Sequence, residues 1–156
     1  MKFNSALKNF VLVLFSTLLI SACSTAKKAS VDTVDDVYTG TDTVEYLANG
    51  VPDRVFFATN KSSLTTRSRD TLRKQATYLR KNKDLTVTIE GHADERGTRE
   101  YNLALGERRA NAAKDYLMTY GVSGKRISVI SYGKEKPVNP ASSPLAWSQN
   151  RRSVTI

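Results

Sequence analysis

Between Glu100 and Tyr120 the residues Leu103, Gly106, Ala110, Ala113, Leu117 and Tyr120 fall at +0, +3, +7, +10, +14 and +17, one stripe of an α-helix with unusually small central side chains. A helix with so little side chain on its core stripe must bring its backbone close to a sheet. Gly121 ends it. The rest of the chain supplies the sheet. Arg54-Val55-Phe56-Phe57 is a short β-type run, and Thr65 or Thr66 caps a helix reaching about Asn82 with Leu72, Ala76 and Leu79 on one face. Leu85 to Glu90 alternates aliphatic residues with Thr, Ile127 to Tyr132 forms a third strand, and Arg152 to Ile156 a last short one. Gly133 to Pro144 reads as loop, with Trp147 packed under it. The order βαβαββ predicts an α/β fold, an α+β sandwich with both helices on one face of a mixed sheet.

The N-terminus is of another kind. Lys2 and Lys8 precede an apolar run from Phe10 to Ile20, which as helix reaches only about 16 Å, roughly half of a bilayer core. It reads as the hydrophobic region of an export signal over residues 1–22. Ile20-Ser21-Ala22-Cys23 resembles the lipobox of bacterial lipoproteins, which implies cleavage before Cys23 and its acylation; the plainer alternative is a secretory signal cut after Ala22 with an incidental Cys. Each buried methylene contributes ~0.8 kcal/mol, so two or three acyl chains hold a protein on a membrane almost permanently. By the same resemblance Ser24, where an Asp signals inner-membrane retention, implies the outer membrane. Residues 23–50, with Asp32, Asp35, Asp36, Asp42 and Glu45 and few large apolar side chains, read as a lipidated Cys and flexible periplasmic tether, leaving 51–156 as the folded domain.

Charge and rare residues narrow the function. The net charge is +9. Residues 51–156 carry twenty Lys and Arg against ten Asp and Glu, whereas residues 24–50 carry two against five. A basic domain suggests nucleic acid, but an exported chain meets the anionic envelope instead. The basic residues Arg67, Arg69, Arg73, Lys74, Arg80, Lys81 and Lys83 mark a solvated face of the first helix. One Cys excludes an internal disulfide framework, and one His leaves metal or triad chemistry dependent on His92. His92 beside Asp94 makes two ligands without a third, so it reads as a hydrogen-bonded strand-end histidine with no metal. No nucleophile motif is present, and nothing in the sequence places two carboxylates at glycosidase spacing.

The polar loop Gly91-His92-Ala93-Asp94-Glu95-Arg96-Gly97-Thr98 lies between a strand and a helix, where α/β folds present ligand-binding loops. Asn102 and Arg109 are seven apart, on one helical face beside the core stripe, which predicts a half-buried guanidinium at Arg109. Asp94 as anion, Arg109 as cation and Asn102 as amide suit a zwitterion. A simple salt bridge from Asp94 to Arg109 is the competing reading.

Gly91-His92-Ala93-Asp94, Gly97, Asn102, Leu105-Gly106, Arg108-Arg109-Ala110, Gly121, Tyr132-Gly133 and Asn150-Arg151-Arg152 together resemble the OmpA-like peptidoglycan-binding domain family. The strings GHADERGT, LGERRAN and SYGKEKP behind a lipobox resemble its lipoprotein branch. The resemblance implies non-enzymatic, non-covalent binding of the diaminopimelate-containing stem peptide, without a cofactor. Asp94 would take the ammonium and Arg109 the carboxylate of the diaminopimelate end, with Asn102, Phe57 and Leu105 lining the site. It also implies a TolB-like periplasmic β-propeller partner and a part in the Tol-Pal envelope and cell-division system; the alternative is a peptidoglycan anchor with no Tol partner. Two departures stand out. Ala58 occupies a position often acidic in the family, and Gly106 replaces its usual Ser, as in the lipoprotein branch.

Overall fold

Val87, Ile89 and Gly91 alternate with Thr88, Glu90 and His92 along one strand, and the sheet forms around it. The computed structural model describes residues 36–156; the expected signal peptide, Cys23 and the tether up to residue 35 lie outside them. The elements are β1 (Tyr46–Ala48), β2 (Val51–Pro52), β3 (Arg54–Phe56), α1 (Thr66–Lys81), β4 (Val87–His92), α2 (Arg99–Thr119), a 3-10 turn (Gly124–Arg126), β5 (Ile127–Gly133), α3 (Pro144–Asn150) and β6 (Arg152–Thr155). Four strands form one mixed sheet in the order β3-β6-β4-β5. β6 is antiparallel to both β3 and β4, while β5 runs parallel to β4 with Val87 opposite Ile127 and Ile89 opposite Val129.

The helices start where side chains can satisfy their first N–H groups. Thr65 accepts from the Ser68 N–H at 3.1 Å and Thr98 from the Tyr101 N–H at 3.2 Å. Both helices share one core, in which Leu72, Ala76 and Leu79 of α1 and Ala110, Ala113 and Leu117 of α2 meet Val55, Val87, Ile89 and Ile127 of the sheet. The mixed sheet with helices on one face is therefore present. The small stripe does what its composition requires. A Cβ added at Gly91 would stand 1.9 Å from the Gly106 carbonyl oxygen, so the α2 backbone rests directly on β4. The stripe itself is rotated from the expected one: Asn102, Leu105 and Arg109 are buried, while Tyr120 is exposed and sits against Tyr116.

Two regions differ from the sequence expectation. Residues 36–50, assigned by composition to the tether, lie against the domain. Tyr38 is buried edge-on to Phe56 with ring centres 4.8 Å apart, Asp42 accepts from Gln149 Nε2 at 3.0 Å, and β1 pairs with β2 across an Asn49-Gly50 turn in which Gly50 has φ +73°. One aromatic anchor and one turn outweigh the acidic composition of the segment, and its Asp36 and Asp42 find partners on the domain, at Thr59 and Gln149. The second is α3, for which the sequence reading gives no element, only a loop ending at Pro144 and a packed Trp147. Ser143 caps it by accepting from the Ala146 N–H at 3.2 Å, and Pro144 occupies the first turn, where its missing N–H costs nothing.

Candidate functional site

β3 and β4 are both antiparallel to β6 and so run the same way, which brings the carboxyl ends of β3 and β4 and the amino end of β6 to one edge of the sheet. Three segments meet there: Phe57 to Lys61 after β3, Ala93 to Gly97 after β4, and Arg151 before β6. Asp94 stands at the centre. Its carboxylate accepts from Arg96 Nη2 at 2.7 Å, from Arg96 Nε and the Arg96 N–H at 3.1 Å each, and from Arg151 Nη1 at 3.4 Å. Partial burial pushes the Asp94 pKa up, but the Arg96 bonds and charge, joined by Arg151, outweigh it and hold the carboxyl below its ordinary value.

Arg96 and Arg151 face this carboxylate from different depths. The Arg96 side chain is 42% exposed, also donates to Thr59 Oγ1 at 3.2 Å, and places its guanidinium 4.3 Å from the centre of the Trp147 ring. The Arg151 side chain is only 3% exposed and donates through Nε to the Phe57 carbonyl at 3.0 Å. Its Nη2 reaches the Asp36 carbonyl, and the Asp36 carboxylate lies 3.4 Å away while accepting the Thr59 N–H at 2.6 Å. The loop below is pinned by Lys134 Nζ, which donates to the carbonyls of Glu95 at 3.2 Å and Gly97 at 2.8 Å. Glu95 accepts from Trp147 Nε1 at 2.8 Å and from Ser142 Oγ, which ties α3 to the loop. Trp147 is thus half-buried beside the site, with the Arg96 guanidinium over its ring.

Each residue singled out from sequence has a definite place here. Arg109 is fully buried, not half-buried, and does not pair with Asp94. It donates to three main-chain carbonyls, Lys61 at 2.8 Å, His92 at 2.8 Å and Ala58 at 3.0 Å, and lies 5.3 Å from the Phe57 ring. Burial, followed by the nearby Arg151 charge, lowers its pKa to about 10, which leaves it cationic at neutral pH. Asn102 is buried and donates to the Arg96 carbonyl at 2.8 Å, so its amide shapes the loop. Phe57 and Leu105 are buried, Phe57 within the main core. The helix spacing identified Asn102 and Arg109 as inward residues but not the carbonyls that claim them.

Arg96, Arg151, Thr59 and Asp36 carried no assigned role in the sequence, although Arg96 stands in the polar loop and Arg151 in the Asn150-Arg151-Arg152 motif. Their convergence follows from strand order, which local pattern does not encode. His92 also differs from expectation. It is buried with neither ring nitrogen hydrogen-bonded, its Nε2 3.5 Å from Glu90 Oε2 and its ring stacked on Tyr132. Among the described residues no group of three or more His, Cys, Asp or Glu side chains is placed to hold a metal ion.

The His92 environment has a measurable consequence. Burial, with the charges of Arg152, Lys136 and Arg54, lowers its pKa from 6.5 to about 3. The folded protein therefore refuses a proton that the unfolded chain accepts below about pH 6.5, so this contribution lowers stability as pH falls from 6.5 towards 3. Between pH 7 and pH 5 the loss is about 2 kcal/mol. The Asp94 and Asp36 carboxyls, held below 3.8, act at lower pH, and the chain has no second His. Urea unfolding at the two pH values reads the loss, and His92→Asn should abolish it; an equal loss in the variant would remove His92 as its source.

The site presents buried and half-exposed guanidiniums, the Asp94 carboxylate and the Thr59 N–H at one end of the sheet, a set suited to a ligand bearing both charges. Against known proteins, the OmpA family matches residues 56–151. The peptidoglycan-associated lipoprotein of Rhizobium meliloti (strain 1021) is 57% identical over 106 residues, 68% of this chain, and the chain spans about three fifths of that relative's length, 60%. The protein of the same description from Brucella melitensis is 42% identical over 151 residues, covering 93% of this chain and 89% of the relative. Among solved structures, the peptidoglycan-associated lipoprotein from Burkholderia pseudomallei superposes with a TM-score of 0.65 at 38% identity over 67% of this chain and 88% of that one. With the family motif spanning most of the folded region and the same sheet beneath it, the chain belongs to the OmpA family, among relatives described as peptidoglycan-associated lipoproteins.

Proposed function

We propose that this chain is a lipoprotein, acylated at Cys23 and held on the periplasmic side of the outer membrane, that grips peptidoglycan non-covalently through the cleft at Asp94. The observation that carries this reading is the meeting of Asp94, Arg96 and Arg151 at one sheet edge, where the Asp94 carboxylate lies within 3.4 Å of two guanidiniums. Diaminopimelate ends in an ammonium and a carboxylate on one carbon. Asp94 receives the first and the guanidiniums the second, with the Arg109 charge held beneath them. The relatives' description as peptidoglycan-associated lipoproteins supports the ligand class and the anchor. The lipoprotein branch further supports a TolB-like β-propeller partner over the same face and a role in drawing the envelope inward at division. The function is binding rather than hydrolysis, and incubation with sacculi should release no soluble muropeptides.

The test is a comparison of two ligands. Titration calorimetry of the full-length chain with a diaminopimelate-containing stem peptide should give binding, and the same peptide carrying Lys, which lacks the distal carboxylate, should bind at least tenfold more weakly. Asp94→Asn should weaken the diaminopimelate peptide by about tenfold or more, because the ammonium loses its charged partner while the loop keeps an acceptor. Equal affinity for both peptides would discard the zwitterion mechanism, and an Asp94→Asn protein that binds sacculi like the parent would discard the site.

A further inference from the structure

The cleft proposed for the ligand already holds a carboxylate belonging to the chain itself. Asp36 Oδ2 accepts the Thr59 N–H at 2.6 Å and lies 3.4 Å from Arg151 Nη2. Arg151 is fixed from behind by the Phe57 carbonyl and by Asp94, so its guanidinium cannot follow Asp36 outward without breaking those bonds. Asp36 can leave far more easily. Its side chain is 42% exposed, on the solvent side of a guanidinium that is 3% exposed. The segment that carries it is secured further along, by Tyr38 against Phe56 and by Asp42 to Gln149. Because Arg151 Nη2 also holds the Asp36 main-chain carbonyl, release turns only the Asp36 side chain outward and leaves that carbonyl and those anchors in place.

A main-chain N–H beside a buried guanidinium is a seat for a carboxylate, and its present occupant shows which chemical group fits. We propose that Asp36 is an internal stand-in for the ligand's carboxylate, filling the seat made by Thr59 and Arg151 in the free protein and displaced when a carboxylate-bearing ligand enters. This rests on the ligand reading given above and adds to it where the ligand's carboxylate lands and why the free chain keeps that position closed. A seat occupied most of the time lowers apparent affinity in proportion to the fraction of molecules in which it is free. The acidic segment ahead of the domain then has a job besides spacing, since it sets how tightly the domain holds its ligand.

Titration calorimetry of full-length wild type, Asp36→Asn and Asp36→Ala with the diaminopimelate stem peptide tests this. Asp36→Ala should bind tighter by about threefold to tenfold, and Asp36→Asn, which keeps an acceptor for Thr59 but not the charge facing Arg151, should fall between. In amide spectra the Thr59 N–H of Asp36→Ala should move on loss of its acceptor and return towards the wild-type position on adding peptide. Affinity that is unchanged in Asp36→Ala overturns the inference and leaves the ligand reading standing. Weaker binding also overturns it, by making Asp36 one of the ligand's own contacts. If wild type and Asp36→Ala both fail to bind while the Thr59 signal still moves, the ligand reading itself fails and the inference with it.

Discussion

Arg109→Ala should lower the unfolding free energy by about 3 to 5 kcal/mol, because the guanidinium is the hub of the loops that form the cleft. It is fully buried and supplies hydrogen bonds to the carbonyls of Ala58, Lys61 and His92 at 2.8 to 3.0 Å. Each carbonyl left without a donor costs about 1 to 3 kcal/mol, and the vacated volume beside Phe57 adds a cavity term. One effect opposes these. Burial disfavours the charge enough to lower its pKa to about 10, so removing the cation relieves part of that cost. The three orphaned carbonyls outweigh it, chiefly that of His92, whose bond is buried, while those of Ala58 and Lys61 are partly buried and recover some hydration. Arg109→Lys keeps the charge but offers a single point of donation where three directions are needed, and should recover little of the loss. Thermal and urea unfolding measure both, with a melting temperature lower by about 10 °C or more for the Ala variant. A variant within about 1 kcal/mol of wild type would mean that the three bonds are not held in solution.

Arg109 also shows how far local pattern reaches. Seven-residue spacing from Asn102 puts both on the inner side of α2, and both are there. Degree of burial is another matter, because it depends on the Ala58 to Lys61 loop, 48 to 51 residues away, folding over the guanidinium. Strands β4 and β5 and helices α1 and α2 were legible because each repeats its own period for at least six residues. Helix α3 spans seven residues, too few for a period to declare itself. The segment 36–50 was hidden for a different reason. Averaged composition records its acids, whereas its placement depends on Tyr38 and on Gly50, two residues that an average dilutes. Among site residues, Asp94 was legible as the anion of a strand-end loop, but Arg151 reaches it only because β6 lies between β3 and β4, a fact of strand order.

Gly91→Ala is expected to destabilise by about 3 kcal/mol or more, at or beyond the upper end of what overpacking a core usually costs. The added Cβ would stand 1.9 Å from the Gly106 carbonyl oxygen and 2.5 Å from its carbon, both main-chain atoms with no rotamer to escape into. Relief requires α2 to lift from β4 by more than an ångström, since ordinary contact begins near 3.4 Å. The lift opens the layer filled by Ala110, Ala113 and Leu117 and draws Asn102 away from the Arg96 carbonyl, so the site loosens with the core. Two neighbouring glycines provide the scale. Gly106→Ala meets Ser131 Oγ at 2.4 Å, which can rotate, but also the Gly91 carbonyl oxygen at 2.9 Å, and should cost less than Gly91→Ala. Gly97→Ala meets nothing nearer than 3.5 Å and bears only the strain of its φ of +91°, about 1 to 3 kcal/mol. Urea midpoints should therefore fall furthest for Gly91→Ala. If Gly97→Ala proved the more damaging, backbone strain in the loop rather than contact between helix and strand would dominate this part of the fold, and the small stripe of α2 would lose its physical explanation.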